Sequence, residues 1–485
     1  MSLKEQLDYL FNPRSAAVIG ASNIFGKWGF NILSRMLSCK GDREIYAINN
    51  KESEVLGLKA YKSLLDVPGP VDLAVITVPF QALLQAVRDC AQKGVKVAVV
   101  ITSGLAESSE DGARIEREMV EIAHKGGMRI VGPNCLGHFD TSSNFYTVPF
   151  LPRVKKGNIA LVSQSGNSSQ SVLNHGLEMG LGFSKFISSG NEADLHLEDY
   201  LEYLEQDEKT SVILGYVEGI REGRRFLSLA RRITKKKPIV IMKAGRTDVG
   251  AKAARSHSAA LAGSDEALDA AFKQCGVLRV EELTELVDVA VALLGQPLPR
   301  GGRVGVLAMG GGMAVMAADA LRREGLELPP LSPSTMEKLN SILSHRWSHG
   351  NPVDPAGDFV SYHLLWPMIE DDNFDSVIII GGVGMTASFA GWASIPPSVG
   401  YDANQLRKRM EKAEMVNLKK TIELMREYKK PVIFVTMVWG AKRRGKVFRK
   451  LKRNYLEPYH TPEKAAKVLA HLVRYSEYLG VARKK

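Results

Sequence analysis

Three times along this chain a short apolar strand runs into a Gly/Ser turn and then into a helix opened by small residues. The first copy is AAVIGASNIFGKWGFNILSRML from Ala16, the second NIALVSQSGNSSQSVLNHGL from Asn158, the third RVGVLAMGGGMAVMAADALRREG from Arg303. A strand that is apolar on both faces and feeds a helix is how a covered parallel sheet reads in sequence. Each copy opens a new alternation of strands and helices. Later strands read DLAVITVP, VKVAVVITSG and MRIVGPN, then SVILGYVEG and KPIVIMKAG, then SVIIIGGVG and KPVIFVTMVWG. The pattern predicts an α/β chain of three doubly wound domains. Proline and basic residues cluster at 148–157 (VPFLPRVKKG) and at 295–302 (GQPLPRGG), so the expected domains are 1–147, 148–297 and 298–485.

A length of 485 residues agrees with that count, at ~100–200 residues per domain. No apolar run is long enough for a membrane helix, and the start, MSLKEQLDYLFNPRS, lacks the apolar core of a signal peptide. The four cysteines, Cys39, Cys90, Cys135 and Cys275, are far apart and form no CxxC pair. A reduced, cytoplasmic setting is the expectation. The net charge of +11 favours anionic partners. The densest basic stretch, AKRRGKVFRKLKRN from Ala441, reads as a solvated helix face. No nucleic-acid-binding motif accompanies it, so neither nucleic acid nor membrane is expected as a partner.

The first turn, Gly20-Ala21-Ser22 with Gly26 and Gly29, lets backbone and a helix N-terminus approach a phosphate. Many nucleotide-binding domains have such a turn. The next strand is more informative. A dinucleotide dehydrogenase ends it with an acid that binds the ribose hydroxyl. Here Asn49, Asn50 and Lys51 stand at that place. A cation suits a phosphorylated ribose, so coenzyme A fits better than NAD; NADP stays as an alternative, and so does a plain surface role for Lys51. Three further strand ends share the edge: Thr77-Val78-Pro79, Thr102-Ser103-Gly104 and Gly132-Pro133-Asn134-Cys135. With Phe25 and Lys27 of the turn, Val78, Pro79, Thr102, Ser103, Gly104, Asn134 and Cys135 complete the expected CoA-binding set. Cys135 has no nearby His and Asp to make it a nucleophile.

The second turn, Ser163-Gln164-Ser165-Gly166-Asn167, suits inorganic phosphate or a phosphorylated side chain, or simply an N-cap by Ser165. After KPIVIMKAGR comes TDVGAKAARSHSAALAGSDEAL, with His257 among small residues that leave its imidazole uncovered. Neutral imidazole is a good nucleophile near neutral pH and can form a phosphoramidate. Glu218, at the end of SVILGYVEG, is placed to orient the ring. The remaining histidines form no HxH or HExxH spacing, so no protein-bound catalytic metal is expected.

GASNIFGKWG, AINNKESEVLG, GPNCLG, SQSG, KAGRT and above all SHSAALAGSDEA resemble the ADP-forming (NDP-forming) acyl-CoA synthetases, relatives of succinyl-CoA synthetase. The likeness runs from about residue 7 to about residue 475. It implies an α-type subunit with a Rossmann-like CoA-binding domain and two flavodoxin-like, succinyl-CoA synthetase-like domains. It also implies that His257 is phosphorylated, that Glu218 interacts with it, and that the SQSG helix points at the phosphohistidine. NPVDPAGD from Asn351 resembles a segment of the third domain. SHSAALAG departs from the usual SHTGALAG but keeps the histidine; AMGGGMAV departs further from the usual NAGGPGV.

The family also needs an ATP-grasp module for ADP/ATP and Mg2+, and no such module is legible here. The resemblance therefore implies a separate β-type subunit, an α2β2 hetero-oligomer and a small carboxylic acid substrate. Acetate, branched, aryl and hydroxy acids are all compatible. The implied reaction converts acyl-CoA, phosphate and ADP reversibly into carboxylic acid, CoA and ATP through acyl-phosphate and phosphohistidine. Two other classes stand beside it: a CoA-binding regulator or scaffold without turnover, and an NADP-dependent oxidoreductase.

Overall fold

The first turn leaves strand β1 (Ser15–Ile19), whose five residues are all buried. Ala16 and Val18 enter one apolar cluster and Ala17 and Ile19 the other, so β1 is covered on both faces. In the computed structural model, residues 1–149, 154–247, 249–250, 265–357, 361–384, 402–438 and 445–481 are described. They form two compact units, Met1–Val287 and Asp288–Lys485.

The first unit holds two sheets. One comprises β1, β2 (Glu44–Ile48), β3 (Glu54–Val55), β4 (Leu58–Tyr61), β5 (Leu73–Ile76), β6 (Val97–Val100) and β7 (Arg129–Val131). Its order is β3-β4-β2-β1-β5-β6-β7, parallel except for the short β3. Helix Trp28–Ser38 covers one face through Ile32, Leu33 and Met36; Leu83–Lys93 and Glu110–Lys125 cover the other. Strand order reverses between β1 and its two neighbours, β2 and β5. The carboxyl ends of the strands at such a switch point form a ligand crevice.

The second sheet runs β14-β13-β12-β10-β11-β8-β9. Its parallel strands are β10 (Lys156–Ser163), β11 (Phe183–Ser188), β12 (Val212–Val217), β13 (Ile239–Lys243) and β14 (Leu278–Val280). The hairpin β8 (His138–Asp140) and β9 (Phe145–Tyr146) adds to β11 antiparallel. The hairpin precedes residue 147, the expected first boundary, yet it pairs with the second sheet. Sequence pattern alone gives no sign of it, because both strands are wholly buried and show no alternation. Lys185 in β11, 3% exposed, is held by Asp140 and Asp207, each at 3.0 Å. Helix Leu3–Phe11, opened by a Ser2–Glu5 capping box, stacks Phe11 on Tyr203 with ring centroids 5.0 Å apart.

In the second unit β15 (Val304–Ala308), β16 (Ser376–Ile380) and β17 (Val432–Val435) form a parallel sheet in that order. The NPVD segment runs along β15. Asn351 accepts from the Val306 N–H at 2.9 Å and donates to the carbonyls of Val304 and Pro329 at 2.8 Å each. Within the basic stretch, helix Lys446–Arg453 buries Val447, Phe448 and Leu451 and turns most of its cations outward. Thr461 caps the last helix, accepting from the Lys464 N–H at 3.3 Å, with Pro462 in its first turn. Among the described residues no helix is long and apolar enough to cross a membrane.

Candidate functional site

The expected CoA segments all lie at the carboxyl edge of the first sheet. Gly20 has φ +92, and a Cβ there would stand 2.8 Å from Thr77 Oγ1. A Cβ on Gly29 would stand 1.9 Å from the Gly20 carbonyl oxygen. Only glycine lets the helix start this close to the turn. Lys27 occupies the N-cap of helix Trp28–Ser38 and gives it no side-chain hydrogen bond. A helix N-terminus directed at this edge favours an anion through its backbone N–H groups and dipole. Phe25 is 84% exposed, beside Ile24 and Trp28.

Asn49 is built into the fold. Its Nδ2 donates to the Ala21 carbonyl at 2.8 Å, and its Oδ1 accepts from the N–H groups of Lys51 and Glu52 at 2.7 and 3.0 Å. It therefore fixes where the exposed Asn50 and Lys51 project. Asn23, which the sequence pattern did not single out, does the same from the other side. It donates to Glu52 and to the Glu54 carbonyl at 2.9 Å and accepts from the Leu56 N–H at 3.0 Å. Thr102 donates to the Val78 carbonyl at 2.7 Å, joining two strand ends. Ser103 is exposed and Pro79 is exposed beside Val78. Cys135 is 5% exposed, and burial pushes its thiol up to about 12, so it is not a nucleophile at neutral pH.

The loop after β7 carries this edge to the second sheet. Asn191 donates its N–H to the Pro133 carbonyl at 2.9 Å, and Leu136 donates its N–H to Ser188 Oγ at 2.9 Å. A Cβ on Gly190, at φ +60, would stand 2.1 Å from the Pro133 oxygen. The Asn191 side chain donates to Glu107 at 2.6 Å and Glu116 at 3.0 Å, and accepts from Asn134 Nδ2 at 3.3 Å. Glu107 in turn accepts from the Gly104 N–H at 2.6 Å. A polar chain therefore links the Gly104 and Asn134 ends of the first sheet to the loop after β11. Asn191, Glu107 and Glu116 were not legible as site residues, because the chain spacings that join them exceed 70 residues.

At the second turn, Ser163 is fully buried and its hydroxyl donates to the Ser165 carbonyl at 2.7 Å. Ser165 caps helix Gly166–Glu178, accepting from the Ser168 N–H at 3.3 Å. Gln164 donates Nε2–H to the Gly219 carbonyl at 2.9 Å and accepts from the N–H groups of Glu218 and Gly219. Ser163 and Gln164 thus shape the turn, while Gly166 and the exposed Asn167 open the helix. Glu218, 7% exposed, follows β12 directly, beside them. His257 lies outside the described residues.

A model of the CoA binding domain matches residues 14–139, and one of the succinyl-CoA ligase-like flavodoxin domain matches residues 156–293. The chain is 40% identical over 479 residues to the α subunit of acetate–CoA ligase [ADP-forming] II of Pyrococcus furiosus, covering 98% of this chain and 99% of that one. It belongs to the ADP-forming acyl-CoA synthetases. The synthetase is an α-type chain and an acid–thiol ligase. It is also 34% identical over 478 residues to the 4-hydroxybutyrate–CoA ligase [ADP-forming] of Nitrosopumilus maritimus, covering 97% of this chain but 64% of that longer protein. A solved structure, the Ca. Korarchaeum cryptofilum dinucleotide-forming acetyl-coenzyme A synthetase 1 in complex with phosphate and ADP, superposes with a TM-score of 0.81 at 32% identity over 98% of each chain. These likenesses favour neither an NADP oxidoreductase nor a CoA-binding scaffold.

Proposed function

We propose that this synthetase chain acts with a separate ATP-grasp subunit to interconvert acyl-CoA, phosphate and ADP with carboxylic acid, CoA and ATP. The observation that carries the reading is the Gln164 clamp, which sets the Glu218 strand end against the SQSG helix start. A helix N-terminus favours a phosphoryl group, and a carboxylate favours the imidazolium character of a histidine attacking or carrying it.

In this reading CoA lies along the first-sheet edge, its phosphates toward the Gly20–Gly29 turn and its ribose phosphate toward Lys51. Phosphate at the Ser165–Asn167 helix start attacks the thioester carbonyl; the C–S bond breaks, and acyl-phosphate and CoA form. The His257 imidazole then attacks phosphorus, the P–O bond to the acyl group breaks, and carboxylate leaves. The phosphoryl group passes to ADP on the partner, where Mg2+ would assist. Glu218 fixes the imidazole tautomer. Splitting the transfer keeps thioester free energy in a phosphoramidate instead of losing it to water.

The α-subunit naming of the Pyrococcus relative supports a separate β subunit. An α2β2 assembly is proposed with it. Acetate and 4-hydroxybutyrate, the acids named for the relatives, are the first substrates to try. The test is phosphorylation: chain, partner, ATP and magnesium should yield acid-labile phosphate on this chain. Replacement His257→Asn should abolish it; normal turnover in that variant would refute the assignment.

A further inference from the structure

One buried acid near the second turn takes no part in that scheme. Glu192 follows β11, is 2% exposed, and holds the left-handed backbone at φ +54. A non-glycine residue in that conformation is held there by its surroundings. Its Oε1 accepts from Ser189 Oγ at 2.7 Å. Ser189 is itself pinned to the turn, donating its N–H to the Ser163 carbonyl at 2.8 Å. The carboxyl thus stands behind Ser163 and Gln164, on a loop that also supplies Asn191 to the CoA edge.

We propose that Glu192 is a positioning residue for the phosphate subsite and works in its neutral form. Protonated, it braces the Ser163–Gln164 turn without opposing an anion; ionised, it repels the phosphate held there. The proposal rests on the reading of the SQSG helix start as the phosphate subsite.

The surroundings favour the neutral acid. Burial raises the Glu192 carboxyl to about 7; the Ser189 hydroxyl and Gln164 amide pull it down, Glu198 pushes it up and Arg221 pulls it down. Helix Leu197–Gln206 faces it with Glu198 and Tyr200. The loop after β12 faces it with Arg221, which donates to the Asn191 carbonyl at 2.6 Å. Glu107 and Glu116 approach from the first sheet through Asn191, and Asp194 on its own loop is held by Arg129. Carboxylates outnumber cations here, so a further negative charge finds little compensation.

The test is binding of inorganic phosphate to the full chain by calorimetry, at about pH 6 and about pH 8.5, on either side of the transition. Glu192→Gln, which copies the neutral acid, should match the native chain at the lower pH and bind about tenfold more tightly than it at the higher. The ionisation of phosphate itself is common to both proteins and cancels in the ratio. Ser189→Ala removes a hydrogen bond that favours the carboxylate, so it should move the weakening to higher pH. A ratio independent of pH, with an unmoved Ser189→Ala profile, would overturn the proposal. Asn167→Asp is the control: a charge in the exposed first turn should lower affinity at both pH values. If it does not, the subsite reading fails; if it does while the ratio stays flat, only the role of Glu192 fails.

Discussion

The side chain of Gln164 holds the backbone of Glu218: Oε1 accepts from the Glu218 N–H at 2.5 Å and from the Gly219 N–H at 3.1 Å. The two segments are 54 and 55 residues apart in sequence. Removing the amide strands two partly buried N–H groups, at about 1–3 kcal/mol each. Gln164→Leu should therefore lower the yield of acid-labile phosphate by about tenfold or more while CoA affinity is kept. Single-turnover phosphorylation and a CoA titration check the split.

Gly29→Ala and Gly190→Ala should both damage the edge, by one mechanism at two places. Each new methyl would meet a carbonyl oxygen, at 1.9 Å in the first case and 2.1 Å in the second. Backbone must shift, which costs about 1–3 kcal/mol by overpacking, and Gly190 adds strain from its φ of +60. Melting temperature should fall in both variants, and CoA binding should weaken in Gly29→Ala beyond what its lost stability explains.

Lys51→Ala should distinguish coenzyme A from its 3′-dephospho form. Lys51 is exposed and is aimed by the Asn49 turn. If it meets the ribose phosphate, its loss should weaken CoA by about twofold to fivefold. The dephospho form should bind native and variant chains equally. Equal weakening of both would remove Lys51 from the site.

Stability should fall on the acid side through His138. Burial pushes its imidazole down to about 4, although the Leu10 carbonyl pulls it back. The unfolded chain takes up that proton near pH ~6.5, and the folded chain refuses it until about 4. The unfolded state therefore binds more protons in between, so this contribution is complete above the upper value and lost as pH falls toward the lower. The full effect is about 3 kcal/mol. Urea midpoints between these limits should decline less in His138→Gln than in the native chain.

The three Gly/Ser turns were legible because a parallel strand buried on both faces has no polar position to confuse it, and because Gly20 and Gly29 answer local demands. The same held for the Ser165 cap and the strand ends at Val78, Thr102 and Glu218. The β8–β9 hairpin was not legible: β11, the partner of β8, begins more than 40 residues after β8 and carries the buried Lys185, which reads as surface until Asp140 and Asp207 surround it.

By itself the sequence determined where strands hand over to helices, which turns are rich in Gly and Ser, and which histidine stands among small residues. Those are properties of adjacent residues, set by side-chain size, backbone freedom and hydrogen bonds a few positions away. Tertiary structure alone decided that Gln164 grips the Glu218 loop, that Asn191 joins Glu107 and Glu116, and that Glu192 is sealed behind the second turn. Such pairings depend on how strands order themselves in a sheet, and burial then gives ordinary polar side chains a leverage that no local pattern encodes.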